Sequence, residues 1–74
     1  MTNDELSFAM DRIGMTSADL ALIVRRTPRA VENWRAGHSP VPGGVAIVIE
    51  AMLRGELSIN WVIEYANQRD KVAN

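Results

Sequence analysis

Apolar residues along this 74-residue chain fall into groups at helical spacing, separated by positions suited to capping and turning. Leu6, Ala9, Met10 and Ile13 stand at i, i+3, i+4 and i+7 and predict one stripe on a first helix that ends near Arg12 or Ile13. Asp4, Asp11 and Arg12 lie off that stripe, and Phe8 is off it too, either on a second packing face or half exposed. Thr2 with Glu5 three residues on has capping-box spacing, and Gly14 is placed to end the helix in the left-handed conformation glycine enters freely. Thr16 is the next N-cap, with Asp19 near the positive end of a helix about two turns long whose stripe is Leu20, Ala21 and Val24. The small Ala21 allows another helix to cross closely. Thr27-Pro28 is an N-cap followed by the residue best tolerated at the first helical position, so a third helix is expected from Pro28 to Ala36, with Gly37 as its stop. Val31 and Trp34 share its inner face, while Pro28, Arg29, Glu32, Asn33 and Ala36 point elsewhere.

The segment 37 to 44, GHSPVPGG, predicts a loop stiffened by Pro40 and Pro42. From Val45 to Leu53 the chain is apolar except at Glu50. The β-branched run VAIVI suits a strand by composition, but Pro42 at a helix start, Arg54-Gly55 at a helix end and the length favour a helix. Such a helix is expected to be buried all round, or partly buried by a partner chain. Ser58 caps a last helix of about Ile59 to Arg69, with Ile59, Val62, Ile63 and Ala66 on one stripe and Trp61 and Tyr65 on another. The tail from about Asp70 to Asn74 is expected to fray. The pattern as a whole predicts an all-α, five-helix single domain.

Composition narrows the chemistry. With no cysteine and one histidine, His38, there is no thiolate metal site, no Cys-His pair and no zinc ligand set, and no enzyme or cofactor is expected. His38 beside Ser39 does not make an activated serine, because sequence neighbours rarely meet in triad geometry. No apolar run is long enough for a membrane span, and the acidic start MTNDEL is unlike a signal peptide, so a cytoplasmic protein without membrane contact is expected. The net charge is −1, but it is unevenly placed: residues 25 to 35 carry Arg25, Arg26, Arg29 and Arg35 against Glu32, a balance of +3, and the remainder carries −4. One surface is positive, which suits a polyanion.

A helix of about two and a half turns fits the DNA major groove. Arg29 and Asn33, at i and i+4, share its outward face; Arg places two donors on guanine O6 and N7, and Asn pairs bidentately with adenine. Glu32 either accepts from cytosine N4 or, the preferred reading, holds Arg29 or Arg35 in place. Trp34 is read as core, and Trp61 with Tyr65 as packing or dimer surface in preference to base stacking.

The motifs Ile13-Gly14-Met15-Thr16, Ala18-Asp19-Leu20-Ala21, Thr27-Pro28-Arg29-Ala30-Val31 and Trp34-Arg35-Ala36-Gly37 resemble, in order and spacing, the lambda-repressor-like helix-turn-helix family of the Cro/cI or XRE type, over residues 6 to 53. The Trp-Arg-Ala-Gly followed by Ser-Pro-Val-Pro also resembles small phage regulators associated with anti-CRISPR operons. The family resemblance implies a helix-turn-helix over 16–37, in helices 2 and 3. It puts Thr27, Pro28, Arg29, Glu32 and Asn33 in base-facing positions and Thr16, Ser17, His38 and Ser39 in backbone-contacting ones. The turn arginines Arg25 and Arg26 add phosphate contacts, and Arg35 is a further one. Four departures stand out: Ser17 replaces the usual glutamine, Arg25 a frequent glycine, Arg26 an apolar residue and Arg35 the glutamate after tryptophan. The arginine partner on helix 1 is replaced by Met10, so the family's internal ion pair is gone and Arg35 is left to pair with Glu32 or Asp11 or to reach a phosphate.

These readings imply a sequence-specific regulator of double-stranded DNA, a repressor of phage or mobile-element origin that binds a pseudo-palindrome as a homodimer through Ile59, Trp61, Val62 and Ile63. With no separate sensor domain, no small-molecule effector is expected. The alternative is a protein-interaction module on the same fold, an antitoxin or accessory subunit.

Overall fold

The computed structural model describes the backbone of residues 1–72 and the side chains of residues 1–68. It is all-α, with five helices in the order α1 (Asn3–Ile13), α2 (Ser17–Val24), α3 (Pro28–Ala36), α4 (Gly43–Leu53) and α5 (Ile59–Val72). Helix α1 packs against α3 and α4, and α2 packs against α3 and α5. Leu6, Met10, Leu20, Val31 and Ile49 are the largest fully buried side chains, so four of the five helices place an anchor at the centre. Each contributes roughly 1.5–3 kcal/mol by leaving water. Met15, in the link between α1 and α2, is also buried; no periodicity extends across a link, so nothing in the pattern singles it out.

Local signals explain where the helices start and stop. The backbone N–H of Glu5 donates to Thr2 Oγ1 at 3.1 Å, and the N–H of Thr2 donates back to the Glu5 carboxylate at 2.8 Å, closing the expected capping box. The Thr2 backbone N–H, and after it the Thr2 side chain, favour the charged carboxylate and hold the Glu5 carboxyl below the usual glutamate range. Thr16 and Asp19 form a second box of the same kind, at 3.1 and 3.0 Å. Gly14 and Gly37 end α1 and α3 in the left-handed region, at φ 83° and 81°.

Two expectations change at α4. The helix begins at Gly43, and Pro42 is its N-cap in extended conformation, its carbonyl accepting from the Ala46 N–H at 3.1 Å. Gly43 and Gly44, expected in the loop, therefore form the first turn. The helix is also not buried all round: Val45, Ile49 and Met52 face inward, while Ile47 is 72% exposed. Among the described residues α1 is the main helix packed on α4.

Ser58 caps α5 as expected, its Oγ accepting from the Trp61 N–H at 3.0 Å. The helix continues to Val72, three residues past the expected end at Arg69. Residues 70–72, expected in the tail, are part of this helix, and residues 73 and 74 lie outside the described residues. Among the described residues no polar or charged side chain is buried, and no helix is long and apolar enough to cross a membrane.

Candidate nucleic-acid interface

Helix α2 ends in an unusual way. Arg25, its C-cap, adopts φ 58° and ψ 46°, making it the one non-glycine residue with positive φ among those described. That conformation lets the Arg25 N–H bond the Ala21 carbonyl and the Arg26 N–H bond the same carbonyl at 3.0 Å, which finishes α2 and turns the chain sharply. Arg26 and Thr27 complete the link. Thr27 Oγ1 then accepts from the Ala30 N–H at 3.1 Å, and Pro28 fills the first position of α3. Sterics favour glycine by about 1 kcal/mol or more in the left-handed region, so this turn keeps an arginine where the backbone prefers none.

Val31 and Trp34 are buried and fix which face of α3 turns inward. Arg29 and Glu32 are exposed and Asn33 is half-buried. The arginine and asparagine therefore occupy one flank of the helix, as their spacing predicts. Among the described residues Arg26 and Arg29 have no ion pair, and Glu32 holds neither Arg29 nor Arg35, contrary to the preferred reading of that glutamate. Its carboxylate is an acceptor open to solvent.

The remaining sequence-selected residues sit at the two ends of α3. Arg25 and Arg26 flank its start. At its end, the His38 and Ser39 N–H groups both bond the Asn33 carbonyl, at 2.9 and 3.3 Å, so the loop folds back over the last turn. Ser17, the first residue of α2, is brought to the same end, because its Oγ accepts from Arg35 Nη1 at 3.4 Å. Thr16 Oγ1 is engaged as a cap acceptor, and its O–H stays available to donate.

Arg35 differs from the other arginines. Its guanidinium also donates to Ser7 Oγ through Nε at 3.3 Å and lies 3.5 Å from Asp11 Oδ1 through Nη2. Of the partners open to it in sequence, Asp11 is the one it takes. An ion pair therefore joins α1 to α3, with the carboxylate on α1 and the cation on α3. Asn3 and Ser7 were not singled out by sequence reasoning; the signal for them is the polar recurrence Asn3, Ser7, Asp11 at every fourth residue beside the apolar stripe of α1.

The expected dimer residues divide. Val62 is buried in the chain's own core and Ile59 packs against it, which withdraws both from an outer face. Ile63 is half-buried, and Trp61 is exposed. Trp61 stacks on Tyr65 one turn along, ring centroids 5.5 Å apart and planes 14° from parallel, and the two are 56% and 55% exposed. Glu56 joins this pair to the outer face of α4, since it borders both the depression beside Trp61 and the one lined by Ile47, Ala51 and Arg54. Compared with known protein families, curated proteins and solved structures, the chain matches none.

Among the described residues no group of three His, Cys, Asp or Glu side chains is placed to hold a metal. What the α2–α3 surface offers is the exposed cations Arg25, Arg26 and Arg29 with the exposed carboxylate of Glu32.

Proposed function

We propose that the chain is a sequence-specific regulator of double-stranded DNA of the lambda-repressor-like helix-turn-helix type, with α3 as the reading helix in the major groove. One observation carries this reading: Arg29 and Asn33 lie at i and i+4 on the outward side of a nine-residue helix capped at both ends, with Arg26 and Arg29 uncompensated by any carboxylate among the described residues. In this reading Arg29 takes guanine and Asn33 adenine through paired hydrogen bonds, each contributing roughly 1–3 kcal/mol of discrimination. Thr27, Pro28 and Glu32 border the same bases, Glu32 as an acceptor for cytosine N4. Arg25 and Arg26 at one end, and Thr16, Ser17, His38 and Ser39 at the other, take the phosphates on either side of the groove. Such contacts give affinity without sequence preference and make it depend on salt.

The chain acts as a repressor on a pseudo-palindromic site, because one nine-residue helix reads only a few base pairs and two copies about a helical turn apart multiply the discrimination. The copies meet through the outer faces of α4 and α5, where Ile47, Trp61 and Tyr65 are exposed. That patch favours a protein contact in its own right, so the second reading, an interaction module whose target is another protein, shares this observation and differs in what α3 meets. A titration of labelled duplex DNA against ionic strength separates the two. The DNA reading gives binding at low salt that weakens steeply as salt rises, with Arg26→Ala weakening all sequences alike and Arg29→Ala relaxing one base position. No binding at low salt would end it.

A further inference from the structure

Helix α3 is gripped at its last turn by a ring of polar contacts of which the reading above uses only Ser17. Asn3, Ser7 and Asp11 lie one turn apart on α1 and meet one residue of α3: Asn3 Nδ2 donates to the Arg35 carbonyl at 3.4 Å, Ser7 Oγ accepts from Nε at 3.3 Å, and Asp11 Oδ1 lies 3.5 Å from Nη2. From α2, Ser17 Oγ accepts from Nη1 at 3.4 Å. One guanidinium on α3 therefore touches both α1 and α2, each of its nitrogens facing a protein oxygen. Its side chain is 26% exposed.

We infer that Arg35 is a positioning residue for base reading and not a phosphate ligand. The inference rests on the proposed DNA-binding function. Val31 and Trp34 hold α3 in the core by packing, which resists separation but is not directional. A planar fork with fixed donor directions supplies the missing constraint, and the carbonyl bond from Asn3 adds a second one at the same residue. The lever is long: Arg29 lies six residues from Arg35, about 9 Å along the axis, so a tilt of about 10° at the clamp moves it by about 1.5 Å. That distance breaks a hydrogen bond to a base edge. The same ring argues against phosphate contact, because three of the five N–H donors already face Ser7, Ser17 and Asp11 and the Asp11 carboxylate repels a second anion.

The test compares wild type, Arg35→Ala, Arg35→Glu and the exchanged pair Asp11→Arg/Arg35→Glu, each checked for helicity by circular dichroism. The probes are a duplex selected by wild type from a random pool and a scrambled duplex. If Arg35 positions α3, Arg35→Ala lowers the ratio of selected to scrambled affinity by at least about fivefold, the low end of one paired base contact. Its salt slope stays at the wild-type value, and the exchanged pair regains most of the ratio lost by Arg35→Glu. If Arg35 holds a phosphate, Arg35→Ala leaves the ratio unchanged and flattens the slope by about 0.9, and the exchanged pair binds as badly as Arg35→Glu; that result overturns the inference. Amide exchange in the free protein reads the clamp without DNA. Faster exchange across α3 in Arg35→Ala, restored in the exchanged pair, supports it; unchanged exchange overturns it. Wild type that binds neither duplex would end the proposed function, while the exchange result would still decide the clamp.

Discussion

The turn between α2 and α3 sets backbone preference against charge, and substitution at Arg25 separates the two. At φ 58° and ψ 46° an L side chain costs about 1 kcal/mol or more relative to glycine. Glycine's larger unfolded-state entropy returns roughly 0.5 kcal/mol. Arg25→Gly and Arg25→Ala both delete the guanidinium and every contact it makes, so their difference isolates the backbone. The glycine variant is expected to be more stable than the alanine variant by about 0.5–1 kcal/mol, a melting temperature about 2–8 °C higher for a domain of this size. Thermal and urea denaturation followed by circular dichroism measure this directly. In DNA titrations the same two variants should coincide, both weaker than wild type on every sequence and both with a salt slope flatter by about 0.9. An alanine variant as stable as the glycine variant would refute the backbone argument. DNA affinities that track stability, not charge, would refute the assignment of Arg25 to phosphate.

Other outcomes follow from the same contacts. Leu20→Ala, at a fully buried position, should destabilise the chain by about 2–5 kcal/mol in urea unfolding, a large share of what a domain this small has. Thr16→Ala removes a cap acceptor and should cost about 1 kcal/mol by the same measurement. The Glu5 carboxyl should titrate below the usual glutamate range in an NMR pH series; because its folded value is lowered, its contribution to stability is complete above the unfolded value and fades as pH falls through the folded one. Wild type and Glu5→Gln should therefore converge in stability at acid pH and separate above it. Trp61→Ala should leave the melting curve of the dilute protein nearly unchanged while weakening self-association in sedimentation equilibrium, since the residue is already 56% exposed.

Helix boundaries were legible where a single residue type settles them. Thr2, Thr16, Thr27 and Ser58 start helices and Gly14 and Gly37 end them because each solves a local hydrogen-bonding or steric problem that depends on no distant residue. Trp34 belongs to the core by its phase alone, because its phase relative to Val31 survives any packing arrangement. Tertiary consequences were harder to read. That α4 has a wet side follows from which helices reach it, and its own composition, apolar throughout, is silent on that point. Val62 is open to an interface by sequence, and the fold makes it core. Arg35 had three sensible partners in sequence, Glu32 one turn away, Asp11 on another helix and a phosphate; the crossing of α1 and α3 chose between them. The Asn3, Ser7, Asp11 row was visible but carried no meaning until something cationic lay against it.

Selection from a random duplex pool tests the central proposal most directly, with bound sequences read from wild type and from Arg29→Ala. Wild type should enrich an inverted repeat whose half-site centres lie about 10–10.5 base pairs apart or a multiple of that, and Arg29→Ala should lose preference at one symmetric pair of positions while keeping the rest. A pool that emerges unenriched, or a preference identical in the two proteins, would contradict the assignment of α3 to the major groove.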